Sequence, residues 1–193
     1  MCKLYSLLVL MFVCVNLNAQ LKLTCNGFVD DKNKEKNYVV VTFDSLSQKK
    51  LYTEVLKFIT TSFKSPKDVL NEVENEMITI RGVQLKKIGI GMRVGKAYTF
   101  VYDIDYNITI SFKDGRIKID APSFECYGFS NGRKNSLVLQ GGNSGLGGEF
   151  KKALFDKKGN PKEEKAIAQI EDFFNAFISM LTDYIRNSSK QDW

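Results

Sequence analysis

The chain has 193 residues, 44% of them apolar, with 28 basic against 22 acidic residues for a formal charge of +6. It contains no histidine, which excludes Ser-His-Asp and Cys-His catalysis and histidine metal sites such as H-E-x-x-H. The length suits one domain with a real core, and the basic balance points to anionic partners.

Residues 1–19, MCKLYSLLVLMFVCVNLNA, read as a cleavable secretory signal. One early cation, Lys3, precedes an uncharged apolar run from Leu7 to Val15, and the small residue Ala19 stands before Gln20. Even from Leu4 to Leu17 the run is shorter than the roughly 20 residues that span a bilayer. No transmembrane anchor is expected after cleavage, and the expected location is periplasmic or extracellular. Cleavage discards Cys2 and Cys14 and keeps Cys25 and Cys126. An even pair in an oxidising compartment suggests a disulfide, with two separate thiols as the alternative. Two distant cysteines cannot build a four-thiolate zinc site, so no metal centre is expected.

Residues 20–36 are polar and charged and read as a flexible lead-in to a core over residues 37–121. Tyr38 to Phe43 is β-rich and fits a buried strand. Ser45 or Ser47 can cap a helix that carries Leu51, Val55, Phe58 and Ile59 at helical spacing. Ser65-Pro66 stops it, because the residue before proline avoids the helical region. Asp44-Ser45-Leu46 also resembles a bacterial O-glycosylation triplet. Val69–Glu74 and Met77–Gln84 read as two strands around a turn at Asn75-Glu76. The span 85–96 holds three glycines and four cations and reads as a basic connection or a loosened strand end.

From Tyr98 to Phe112 every even position is aromatic or isoleucine, and the odd positions are polar except Val101. Side chains alternate faces in a strand, so this is one long half-buried strand with a wet opposite face. Asp114-Gly115 permits a type I′ turn. Pairing Lys113 with Arg116 sets Phe112 opposite Ile117 and Ile110 opposite Ile119, which puts both apolar sets on one face. Pro122 ends the hairpin, and residues 122–160 read as a glycine-rich connection with one brief strand at Val138-Leu139. A helix is predicted over 161–187, with Pro161, Glu163 and Glu164 in its first turn and Ile170, Phe174, Phe177 and Leu181 on a broad apolar face. Such a face must cover a sheet or meet a partner. Residues 188–193 are a terminal tail.

The order strand, helix, four strands, helix resembles the bacterial family of unknown function numbered 4468, described as having a TBP-like fold. The phrases that carry the resemblance are Lys50-Leu51-Tyr52-Thr53-Glu54-Val55-Leu56-Lys57-Phe58-Ile59 running into Thr61-Ser62-Phe63-Lys64-Ser65, and the long strand through Asp114-Gly115. They cover roughly residues 38–121. The resemblance implies a secreted Gram-negative protein and supplies no catalytic residue. A TBP-like topology does not imply DNA binding. The expected fold class is therefore α+β: one domain, an antiparallel sheet with two main helices packed on one face.

Asp103-x-Asp105-x-Asn107 resembles the start of a calcium loop, but Ile108 stands where glycine is required and the segment alternates like a strand. The same Asp103 and Asp105 are a carboxylate pair on one strand face, about 6–7 Å apart by strand rise, a spacing that admits glycosidic acid–base chemistry in principle. Their alternative is a solvated sheet face. The Gly141–Gly148 run lacks the Gly-Lys-Ser/Thr ending of a phosphate loop, so no cofactor is expected. Lys86, Lys87, Arg93 and Lys96 form a basic cluster, and Lys151, Lys152, Lys157 and Lys158 another. Either can face an anionic lipid head group, glycan or peptide, or be a solvated surface. Intracellular nucleic acid is not an expected partner of an exported chain. The expectation is an exported, non-enzymatic binding or envelope-associated protein. A carboxylate-dependent hydrolase and an assembly protein using the sheet face or edge are the alternatives.

Overall fold

The computed structural model describes residues 20–94, 96–142 and 149–188. Residues 1–19, the segment read as a secretory signal, with Cys2 and Cys14, most of the glycine run and residues 189–193 lie outside the described residues. In chain order the elements are β1 (Leu21–Thr24), β2 (Gly27–Asp30), β3 (Tyr38–Thr42), α1 (Gln48–Ser62), α2 (Pro66–Val69), β4 (Leu70–Val73), β5 (Met77–Val94) and β6 (Lys96–Lys113). They continue with β7 (Arg116–Asp120), β8 (Ser123–Ser130), β9 (Arg133–Val138), β10 (Phe150–Ala153) and α3 (Glu164–Ser188).

The spine is β5 and β6, two long strands paired antiparallel from Met77 opposite Ser111 to Val94 opposite Lys96. The other edge of β6 is shared: β8 takes Asp103–Asn107 and β7 takes Ile110–Lys113. The β6–β7 register is the one the alternation demands, with Phe112 opposite Ile117 and Ile110 opposite Ile119. Beyond β7 lies β3, and beyond β8 lie β9 and β10. All these pairs are antiparallel except β9 with β10. The architecture is α+β, one domain built on a mainly antiparallel sheet.

The even positions of β6 from Tyr102 to Phe112 are buried. They meet Leu51, Val55, Phe58 and Ile59 of α1 and Ile170, Phe174, Ile178 and Leu181 of α3 in one core. Helix α1 is capped twice: Ser47 accepts from the Lys50 amide at 3.3 Å, and Asp114 of the β6–β7 turn accepts from the Gln48 amide at 2.8 Å. Glu54 is buried in α1 yet ionised. Burial raises its affinity for a proton, but hydrogen bonds from Lys50, Ser188 and Lys57 prevail and hold the carboxyl below its ordinary range.

Three regions differ from the sequence expectation. Residues 20–36 include the β1–β2 hairpin, Leu21 to Asp30, with Leu21, Leu23 and Phe28 buried among charged neighbours. Helix α3 supplies hydrogen bonds to the free edge of β1. Asn175 accepts from the Leu21 amide at 2.8 Å and donates to its carbonyl at 3.0 Å, and Glu171 accepts from the Leu23 amide at 2.9 Å. Second, the span 122–160 is a continuation of the sheet through β8, β9 and β10. The buried face of β8 carries Cys126 and Gly128, too small to announce a strand. Gly128 is required there, since a Cβ would stand 2.6 Å from the Val101 carbonyl oxygen. Third, α3 starts at Glu164, because Pro161 is engaged in a bridge with Phe155.

Candidate functional site

Strand β4 pairs only with Met77–Ile80, which leaves the outer edge of β5 uncovered from Arg81 onward. On that edge β5 bulges. Leu85, Lys86 and Lys87 stand opposite the single residue Asp103 before pairing resumes at Ile88. The bulge is held from two sides: Asp103 Oδ1 accepts from the Lys86 amide at 2.7 Å, and Gln169 of α3 accepts from the Gly89 amide at 2.8 Å. Lys86 takes a left-handed φ of 50°, a conformation that side chains tolerate only with such support. Bulges of this kind re-aim side chains beside binding sites.

Between this edge, the end of α1 and α3 lies a cleft of about 860 Å³. Helix α3 contributes Phe173, Ala176, Phe177 and Met180, one stripe at three- and four-residue spacing. Phe58, Phe63 and Val69 form the far wall, and Val83 and Leu85 line the strand side. Val83, Leu85 and Met180 are 50%, 65% and 57% exposed, so the cleft mouth is itself apolar. Tyr106 lies across the floor because Gly82, its partner in β5, has no side chain: a Cβ there would come within 2.6 Å of the phenol oxygen. Burial raises the Tyr106 phenol above its ordinary range, so it stays a protonated donor. Lys64 and Lys87 also line the cleft, and the Lys87 ammonium sits 5.7 Å from the centre of the Phe173 ring.

Of the basic cluster Lys86, Lys87, Arg93 and Lys96, only Lys87 lines this cleft. The backbone carries Arg93 and Lys96 to the far end of the β5–β6 hairpin, about 20 Å of strand beyond Lys87. Lys151 and Lys152 are paired with Glu149 at 3.4 Å and Glu163 at 2.8 Å. Asp103 and Asp105 both lie half-buried on the open sheet face, away from the helices. Asp103 has a structural partner in the Lys86 amide, and Asp105 stands opposite Glu125.

Cys25 and Cys126 are not bridged in this structure, where both are free thiols. Cys126 is buried between Ile104 and Leu137 in the sheet, where burial pushes its thiol up to about 12. Cys25, in the β1–β2 turn, lies against Gly159 instead. In native protein beginning at Gln20, maleimide should therefore label Cys25 readily and Cys126 only after denaturation, as peptide mass spectrometry would show. A disulfide-linked peptide pair would refute this.

Residues 38–127 match the profile of a family described as a domain of unknown function (DUF4468) with TBP-like fold. That segment belongs to the DUF4468 family. A TBP-like protein from Parabacteroides distasonis is similar in structure at 12% identity and a TM-score of 0.49, over 78% of this chain and 91% of that one. A DUF4468 family protein from Bacteroides ovatus is similar at 14% identity and a TM-score of 0.48, over 77% and 86% of the two chains. No curated protein matches the sequence.

The DUF4468 segment supplies the strand wall and the α1 wall of the cleft, while Phe173, Ala176, Phe177 and Met180 come from outside it. On its open sheet face the DUF4468 segment carries a second concavity of about 430 Å³, lined by Tyr38, Val40, Ser111, Lys113, Arg116 and Lys118. The Tyr38 ring has the Lys36 and Lys118 ammonium groups within 5.8 Å and 5.6 Å of its centre. The hairpin register already implied this grouping, since it sets Lys113 beside Arg116 and returns Lys118 to the same face.

Proposed function

We propose that this protein is an exported, non-enzymatic binding protein that works in the periplasm or outside the cell, and that the cleft between α3 and β5 holds its ligand. The observation that carries the reading is the lining of the cleft. It presents aromatic and aliphatic surface with a few polar groups, the composition of a small-molecule site, at a volume within the usual range of roughly 300–1,000 Å³. The leader over residues 1–19 supports export. Leu21, immediately behind the expected cleavage point, is buried, so processing deeper in the chain would cost core surface.

An uncharged apolar dye such as N-phenyl-1-naphthylamine tests the site. It should bind the purified protein with a rise in fluorescence. Met180→Asp combined with Leu85→Asp should weaken binding at least about tenfold, because two carboxylates at the mouth are costly to desolvate. Both residues are exposed, so the fold should survive, and an unchanged dye affinity would refute the assignment.

A further inference from the structure

We infer that the cleft takes a single-chain amphiphile with an anionic head: a fatty acid in its carboxylate form. The inference rests on the cleft being a ligand site and concerns what that site selects. One helix stripe, Phe173, Ala176, Phe177 and Met180, stands across the cleft from Val83 and Leu85 of β5, so both walls offer apolar surface to an alkyl chain. Phe58, Phe63 and Val69 close its far side with more apolar surface. Burying an alkyl chain there removes its methylenes from water, and longer chains gain more.

The charge pattern then sets the head group. Lys64 and Lys87 are the charged residues that line the cleft, and no Asp or Glu joins them among the described residues. Neither lysine has a carboxylate partner among the described residues. Lys87 sits over the Phe173 ring, so its ammonium marks the line where the apolar wall meets water. It is placed there by the bulge, which Asp103 and Gln169 hold. The Tyr106 phenol and the Gln84 amide add uncharged donors on the same lining. An apolar chain ending in a carboxylate satisfies all three requirements: a dry wall, an unpaired positive rim and neutral donors.

The test compares laurate with dodecanol, equal in chain length and different in charge, each below its aggregation limit, by displacement of N-phenyl-1-naphthylamine from the full mature protein at low salt. Laurate should bind about tenfold tighter than dodecanol, and the advantage should shrink as salt rises. Lys64→Gln with Lys87→Gln should bring laurate down to the dodecanol level, both amphiphiles being measured on the same variant. Equal affinities for the two amphiphiles, or a laurate preference that survives the double substitution, would overturn the inference and leave the apolar site standing. Failure of the dye itself to bind would overturn both.

Discussion

Replacing Phe174 by alanine should cost about 3–5 kcal/mol, a large share of the roughly 5–15 kcal/mol that holds a domain together. Its ring is almost wholly buried and meets four others: Phe173 at 4.9 Å, Phe28 at 5.2 Å, Phe124 at 5.8 Å and Tyr106 at 6.0 Å between centres. Three of those rings belong to separate strands, β2, β6 and β8, so the side chain joins the N-terminal hairpin, the sheet and α3 at one point. Rigid rings collapse poorly around a void, which places the cost toward the upper end for such changes. Urea unfolding should show a lower midpoint at nearly constant slope. A loss below about 1 kcal/mol would mean that the rings repack, contrary to this account.

Asn175→Ala should cost about 2 kcal/mol, the second largest effect expected. The amide of Asn175 pairs with both backbone groups of Leu21, in a partly buried setting. Alanine leaves a donor and an acceptor on β1 without partners, each penalised by about 1–3 kcal/mol when water is kept away. Partial access of water holds the sum near the lower figure. The effect should be local before it is global. Hydrogen exchange at Leu21 and tryptic cleavage after Lys22 should both accelerate in Asn175→Ala under conditions where α1 and β6 remain protected. Unchanged exchange at Leu21 would show that Glu171, through the Leu23 amide at 2.9 Å, suffices to hold the strand.

What could be read from the chain, and what could not, follows from where the physics is local. The β6–β7 hairpin was legible to the residue because alternation and an Asp-Gly turn leave a single register that keeps Ile117 and Ile119 with Ile110 and Phe112. Helix α1 was legible because Ser47 and Ser65-Pro66 bracket an apolar stripe. The β1–β2 hairpin escaped notice because three buried apolar side chains lie among charges, and their partner, α3, is far along the chain. β8 was hidden because packing against the Val101 carbonyl demands glycine at 128, a residue that reads as loop. The cleft escaped for a related reason. Phe63, Val83, Leu85, Phe173 and Met180 look like ordinary core or surface until the uncovered edge of β5 is known. Gly82 reveals itself only through the cross-strand position of Tyr106. The acidic pair is a different case: Asp103 stands out in the sequence, and in the fold its carboxylate accepts from the Lys86 backbone amide.

The junction of β1 with α3 also bears on how the molecule folds. Asn175 and Leu21 are separated by 154 positions, so the outer edge of the first strand has no hydrogen-bond partner until the last helix exists. Contacts of such sequence separation form late and slowly, after a large loop-closure entropy has been overcome. A ribosome-bound chain therefore lacks the element that completes its hairpin, and the aromatic cluster around Phe174 cannot assemble before synthesis ends. The N-terminal hairpin therefore reaches its final packing only once α3 has left the ribosome.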